Sequence, residues 1–155
     1  AALKRYLTFL QDRAQAADPA LTCYESNVTK WLDFDGVTEA TRLMDAALAA
    51  AGEEEAQDSA AHRGLRDKVR RERLPLDHVW LLNYWAFKEQ AQRAGRPFLG
   101  PADPVAGGRA WIDACARFGV QAHRETTTAE TFKTYQRHLL KSLGAPPVPK
   151  KEGES

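Results

Sequence analysis

Apolar residues recur in this chain at spacings of three and four, which places them along one face of an α-helix. Segments with the alternating β-branched pattern of a strand are almost absent. The sequence therefore predicts an all-α fold, a bundle of six to seven short helices. The clearest stripe is formed by Leu3, Leu7, Leu10, Ala14 and Ala17.

Residues that cap or interrupt helices predict where these segments begin and end. Aspartate and threonine accept hydrogen bonds from the free N–H groups of a first turn, and glycine adopts the left-handed conformation that ends a helix. We expect caps at Asp18, Thr38, Asp77 and Asp103, and a capping box formed by Thr127 and Glu130. We expect helix ends at Gly52, Gly95, Gly119 and Gly144.

Pro75 is expected to separate two helices, because proline lacks an N–H group and its ring clashes with the preceding turn. The segment before it, from about Ala56 to Arg73, is polar and is predicted to face solvent. The segment after it, from about His78 to Ala94, is apolar nearly all round. Such a helix lies at the centre of a bundle or against a partner.

The length of 155 residues suits one domain. We expect residues 1–144 to form a helical domain and residues 145–155 to be a disordered tail. The composition, 43% hydrophobic and 28% charged, is that of an ordinary soluble globular protein. The chain has two cysteines, Cys23 and Cys115, and lacks a signal-peptide pattern or a membrane-spanning apolar run, so we predict a cytoplasmic location.

Charge is distributed unevenly along the chain. Residues 1–61 carry five positive and eleven negative side chains, a net of −6. Residues 62–155 carry seventeen positive and ten negative side chains, a net of +7. The near-neutral total therefore conceals a dipolar protein whose basic half could meet an anionic partner.

The densest basic segment spans residues 62–73 and contains five arginines, four of which, Arg63, Arg66, Arg70 and Arg73, recur at spacings of three, four and three. On a helix these arginines fall within one quadrant, where guanidinium groups can bind phosphate oxygens through paired hydrogen bonds. We therefore predict a non-catalytic protein that binds the phosphate backbone of DNA or RNA with little base recognition. The predicted contact residues are Arg63, Arg66, Lys68, Arg70, Arg71 and Arg73, aided by Lys133, Arg137 and Lys141 on the last helix.

Two alternatives remain open. The arginines could form a solvated face or pair with the acidic residues between positions 53 and 58, which would leave no site for an anionic polymer. The protein could also be an interaction module or a homodimeric adaptor, since exposed aromatic residues on a helix serve as interface anchors. The aromatic residues that would form such an interface, or else the core, are Trp80, Tyr84, Trp85 and Phe87.

An enzyme is the less favoured hypothesis. Residues 33–38, DFDGVT, resemble the first motif of haloacid-dehalogenase-type phosphatases, whose first aspartate attacks phosphorus. That motif follows a buried strand, whereas residues 26–31 predict an amphipathic helix, so we interpret Asp35 and Gly36 as a turn. The scattered histidines and cysteines lack the short spacing of a structural metal site, and we expect neither a metal nor a cofactor.

Overall fold

The computed structural model describes residues 1–17, 28–57, 64–122 and 128–146. Across these ranges the regular structure is helical and contains no strand, so the all-α prediction is confirmed. A short 3₁₀ turn at Val28–Lys30 precedes the second α-helix. The α-helices of the described ranges are α1 (Ala2–Ala16), α2 (Phe34–Gln57), α3 (Leu65–Leu82), α4 (Tyr84–Arg93), α5 (Pro104–Arg117) and α6 (Ala129–Gly144).

Some sequence predictions fall on residues that the structure does not describe. The predicted helix after Asp18 lies largely within residues 18–27, which are outside the described ranges. Most of the predicted tail, residues 147–155, is also outside them, as is Arg63. None of the described helices combines the length and the apolar character that crossing a membrane requires.

α3 packs against helices on two sides and contributes to two apolar clusters. In the first cluster, residues of α3 such as Trp80 pack with α1 and α2, where Val37 and Met44 are fully buried. In the second, α3 packs with α5 and α6, where Trp111 and Leu139 are buried. Each such side chain stabilises the fold by about 1.5–3 kcal/mol relative to exposure. α3 therefore joins the two clusters, and α4 also contributes to both, with Phe87 in the first and Tyr84 in the second.

The predicted helix break at Pro75 is wrong, because α3 runs through this residue. The side chain of Pro75 is exposed, while its neighbours Leu74 and Leu76 are buried. An internal proline costs about 3 kcal/mol, a penalty that burial of several large side chains along the same helix outweighs. The chain instead leaves the helical path at Asn83, whose side chain donates to the carbonyl of Val79 at 3.0 Å.

The start of α2 also differs from the prediction. α2 begins at Phe34, and the cap is Asp33, whose carboxylate accepts a 2.8 Å hydrogen bond from the N–H of Gly36. Asp35 and Gly36 therefore lie in the first helical turn, and Thr38 is a buried residue inside the helix. A Cβ atom at Gly36 would approach the Arg13 guanidinium to 2.8 Å, so glycine leaves room for that side chain.

Several other helix ends were predictable from single residues. Asp103 caps α5 by accepting a 2.8 Å hydrogen bond from Ala106 N–H, as expected. Gly119 has a φ of 69° after α5, which is the left-handed conformation expected of a glycine that ends a helix. The capping box of α6 uses Thr128 and Thr131, one position later than predicted. α2 continues past Gly52 to Gln57.

The predicted aromatic interface is mostly core. Trp80, Tyr84 and Phe87 are 2%, 1% and 1% exposed, so these side chains cannot contact a partner without unfolding the chain. Trp85 is half-buried, and its indole N–H donates to the carbonyl of Ser142 at 3.4 Å. The helix break at Asn83 divides the aromatic segment between α3 and α4, and most of its aromatic side chains pack in the core.

Cys115 is also internal, as its position on an apolar helical face predicts. Its side chain is 1% exposed, and burial raises the pKa of the thiol to about 11. The thiol therefore stays protonated near neutral pH and packs as a small apolar group.

Candidate nucleic-acid interface

The first two turns of α3 present exposed cations to solvent. Arg66, Lys68 and Arg71 are all exposed, and none of them forms an ion pair with another residue in the described ranges. At about 100° per residue, Lys68 and Arg71 lie about 60° apart on one side of the helix, and Arg66 lies on another side. The exposed cations therefore lie on two sides of this segment rather than in one stripe.

Arg70 shares a carboxylate with an arginine from α5. The guanidinium of Arg70 lies 3.3 Å from one oxygen of Asp67, and that of Arg117 lies 2.6 Å from the other. The three side chains are between 42% and 58% exposed. Two cations on one carboxylate leave a net positive charge that a phosphate could complement. No local pattern in the sequence indicates Arg117, since it lies 50 positions from Asp67.

Arg73 is engaged by two carboxylates. Its Nε donates to Asp77 at 2.9 Å, and its Nη1 is paired with Asp45 of α2. The side chain is 23% exposed. Burial raises the pKa of Asp77, and the nearby Arg73 guanidinium opposes that rise. Arg73 therefore joins α2 to α3, and its partner Asp45 lies in the acidic half of the chain but outside the segment 53–58 that was expected to supply such partners.

The acidic end of α2 lies beside the basic start of α3. The two helices run antiparallel, as shown by the Arg73 pair with Asp45 and by Gly52, whose Cβ position would be 3.9 Å from Arg66. Glu53 and Glu54, which follow Gly52, are exposed. Their field weakens the attraction of Arg66 for an anion. Lys68 and Arg71 lie on the side of α3 that faces away from α2 and are less affected.

The basic residues of α6 form a separate surface. Tyr135 of α6 contacts His78 of α3, and their ring centroids lie 5.6 Å apart. Lys133 and Arg137 are each two residues from Tyr135, which rotates them by about 200° to the opposite side of the helix. Together with Lys141 they are exposed and point away from α3. The structure therefore does not join the two predicted groups of cations into one face.

Two aspartates of the phosphatase-like motif make structural contacts. Asp33 caps α2 and forms a 2.8 Å ion pair with Arg13, while Asp35 is paired with Arg96. Both carboxylates are more than half exposed and each holds a guanidinium from another segment. Asp33 therefore acts as a helix cap, and both aspartates form ion pairs that connect α2 to other segments.

The candidate interface is defined by charge and exposure. No protein-family model, curated protein or solved structure matches the chain.

We name the five cations at the start of α3 and the end of α5 the α3 basic surface, and the three cations of α6 the α6 basic surface. The α3 basic surface comprises Arg66, Lys68, Arg70, Arg71 and Arg117.

Proposed function

We propose that this protein binds the phosphate backbone of a nucleic acid through the α3 basic surface. The observation that carries the proposal is the charge balance of this surface. Its five cations are accompanied by two carboxylates of α3, Asp67 and Glu72, which gives this set a net charge of +3. Glu53 and Glu54 of α2 oppose that charge beside Arg66. A surface of this kind releases counterions from a nucleic acid when its cations neutralise phosphates.

The exposed arginines of this surface suit phosphate recognition. A guanidinium donates two parallel hydrogen bonds to one phosphate, and Lys68 adds a compact charge on a flexible stem. Contacts with phosphates carry no base information, so the proposed binding is largely independent of sequence. Arg73, one of the predicted contact residues, is paired within the protein. The affinity for phosphates is therefore expected to come from the cations of the first two turns of α3 and from Arg117.

The experiment compares two triple variants that change the net charge by the same amount. In the first, Arg66, Lys68 and Arg71 are replaced by glutamine; in the second, Lys133, Arg137 and Lys141 are replaced by glutamine. Binding of each variant to a random-sequence duplex is measured at about 50 mM salt by fluorescence anisotropy.

The first variant is expected to bind more than about tenfold more weakly than the unchanged protein, because three phosphate contacts are lost. The second is expected to bind nearly as well, since the α6 basic surface lies on another side. Equal weakening by both variants would assign the binding to net charge alone and overturn the proposed surface. Circular dichroism establishes that both variants remain folded.

A further inference from the structure

A surface groove of about 480 Å³ lies between α5 and α6. The two helices run antiparallel, since Gly108 lies beside Leu140 and Gly144 lies beside Val105. A Cβ atom at Gly108 would lie 2.8 Å from the Leu140 side chain, so glycine lets the helices approach closely at that level. The groove reaches one turn further along α5, to Ile112.

The groove combines an apolar floor with a basic rim. Ile112 and Leu140 line it and are half-buried, whereas Lys133 and Arg137 line it and are exposed. Neither cation forms an ion pair with another residue of the described ranges. A partner that covers the groove would therefore bury apolar surface between groups that attract negative charge.

The charge around the groove is positive. Its lining contains two cations and one carboxylate, Glu130, which gives a net charge of +1. Lys141 lies one turn beyond Arg137, is exposed and adds to this charge. On the facing helix, Arg109 and Asp113 are both exposed and cancel each other. The groove therefore attracts a partner that carries carboxylates and repels a basic one.

The shape of the groove and one amide favour a polypeptide as the partner. Gln136 lines the groove and is half-buried, and its side chain forms no hydrogen bond with any of the described residues. An amide both donates and accepts, so this side chain can pair with the main chain of a bound segment. The described lining comes from two helices at the surface, so a small molecule would stay exposed on its outer side, unlike the ligands of enclosed sites.

We propose that this groove binds an acidic segment of a partner protein, with an apolar side chain of the segment on Ile112 and Leu140 and its carboxylates beside the two cations of the rim. The apolar floor offers nothing to phosphates, which favours a polypeptide over a nucleic acid at this position. The groove uses no residue of the α3 basic surface, so the proposal is independent of the proposed nucleic-acid binding.

The test compares three peptides that are acetylated at one end and amidated at the other. EELELEE carries the proposed chemistry, EESESEE keeps its charge but lacks leucine, and KKLKLKK keeps leucine but reverses the charge. Nitrogen–proton NMR follows the backbone amides of Ile112, Gln136 and Leu140. We expect EELELEE to shift these signals with a dissociation constant of about 1 mM or below, and each control peptide to bind the groove more than about tenfold more weakly.

An acidic peptide is also attracted to the α3 basic surface, and the same spectra separate the two positions. Charge alone acts at that surface, so the signals of Lys68 and Arg71 are expected to respond equally to EELELEE and EESESEE. A requirement for leucine at Ile112 and Leu140 is therefore specific to the groove.

Two double variants make the same change in net charge. Lys133→Glu combined with Arg137→Glu reverses the charge of the rim and is expected to weaken EELELEE binding at the groove by more than about tenfold. Lys4→Glu combined with Arg5→Glu, at exposed positions of α1, is the matched control and should bind nearly as well as the unchanged protein. Circular dichroism establishes that both variants remain folded.

Four results would overturn the proposal. The first is the absence of shifts at Ile112, Gln136 and Leu140 at about 10 mM EELELEE, ten times the expected dissociation constant. The second is equal binding of either control peptide at the groove, and the third is unchanged binding by the folded Lys133→Glu, Arg137→Glu variant. The fourth is displacement of EELELEE from the groove by a random-sequence duplex, which would assign this surface to nucleic acid.

Discussion

Arg71 and Arg73 lie two residues apart in α3 and have opposite surroundings. Arg71 is exposed and forms no ion pair with any of the described residues, whereas Arg73 is paired with Asp45 and Asp77. The rotation of about 200° between them turns one side chain to solvent and the other to α2. Arg73 has Asp77 four residues further along α3 and Asp45 on α2, whereas the residue four positions after Arg71 is Pro75. A local carboxylate and the packing of α2 together separate the structural arginine from the surface one.

This difference predicts unequal effects of the same substitution on stability. Arg73→Gln is expected to lower the free energy of unfolding by about 2 kcal/mol, because it leaves Asp77 partly buried without its cation. Arg71→Gln is the matched control and is expected to change stability by less than about 0.5 kcal/mol. Urea unfolding monitored by circular dichroism at pH 7 measures both values. Equal stabilities of the two variants would contradict the structural role of Arg73.

The loss caused by Arg73→Gln is expected to depend on pH. Burial already raises the pKa of Asp77, and removal of the Arg73 guanidinium, which lowers it, raises that pKa further. As the pH falls towards the range in which Asp77 is protonated, the unpaired charge disappears and the variant recovers stability relative to the unchanged protein. The difference in unfolding free energy between the two proteins is therefore expected to be smaller near pH 4 than at pH 7.

Single residues that act locally were predictable from the sequence. Asp103 and Gly119 form the expected cap and end of α5, because their effects depend on the adjacent backbone alone. The pairing of Arg73 with Asp77 follows from their spacing of four on a helix. The pairing of Arg73 with Asp45 joins residues 28 positions apart, and no local pattern indicates it.

At the scale of an element, α3 shows how packing overrides a local signal. Pro75 predicts an interruption, yet the helix continues because Leu74 and Leu76 on either side of it are buried in different clusters. The sequence shows the local propensity of this segment, but it does not show that α5 and α6 pack against the side of α3 opposite α1 and α2. The same limitation explains why the aromatic residues after Pro75 could be core or interface until the packing was known.

We expect Pro75→Ala to stabilise the protein. The substitution restores an N–H donor to the carbonyl of Arg71 and removes the ring clash, while no buried side chain is lost. We expect the free energy of unfolding to rise by about 1–3 kcal/mol, reduced somewhat by the greater freedom of the unfolded chain. Thermal unfolding measures the change. A destabilised Pro75→Ala variant would indicate that the chain needs a break at this position.

At the scale of the whole molecule, ion pairs between partly exposed side chains join the two charge halves of the chain. The antiparallel contact of α2 with α3 places Asp45 beside Arg73, and Asp35 at the start of α2 is paired with Arg96. The imbalance of charge can be counted in the sequence, but the sequence does not show which cations the acidic half neutralises. The cations at the start of α3 that are not paired with the acidic half, together with Arg117, form the α3 basic surface.

The most direct test of this account is the salt dependence of duplex binding by the unchanged protein. The α3 basic surface offers three to five cations to phosphates, so the logarithm of the binding constant is expected to fall with the logarithm of salt concentration with a slope of about −3 to −4.5. The measurement covers about 50 to 200 mM salt and uses a random-sequence duplex. A protein that ignores the duplex at the lowest salt, or binds it with a slope near zero, would contradict the proposed function.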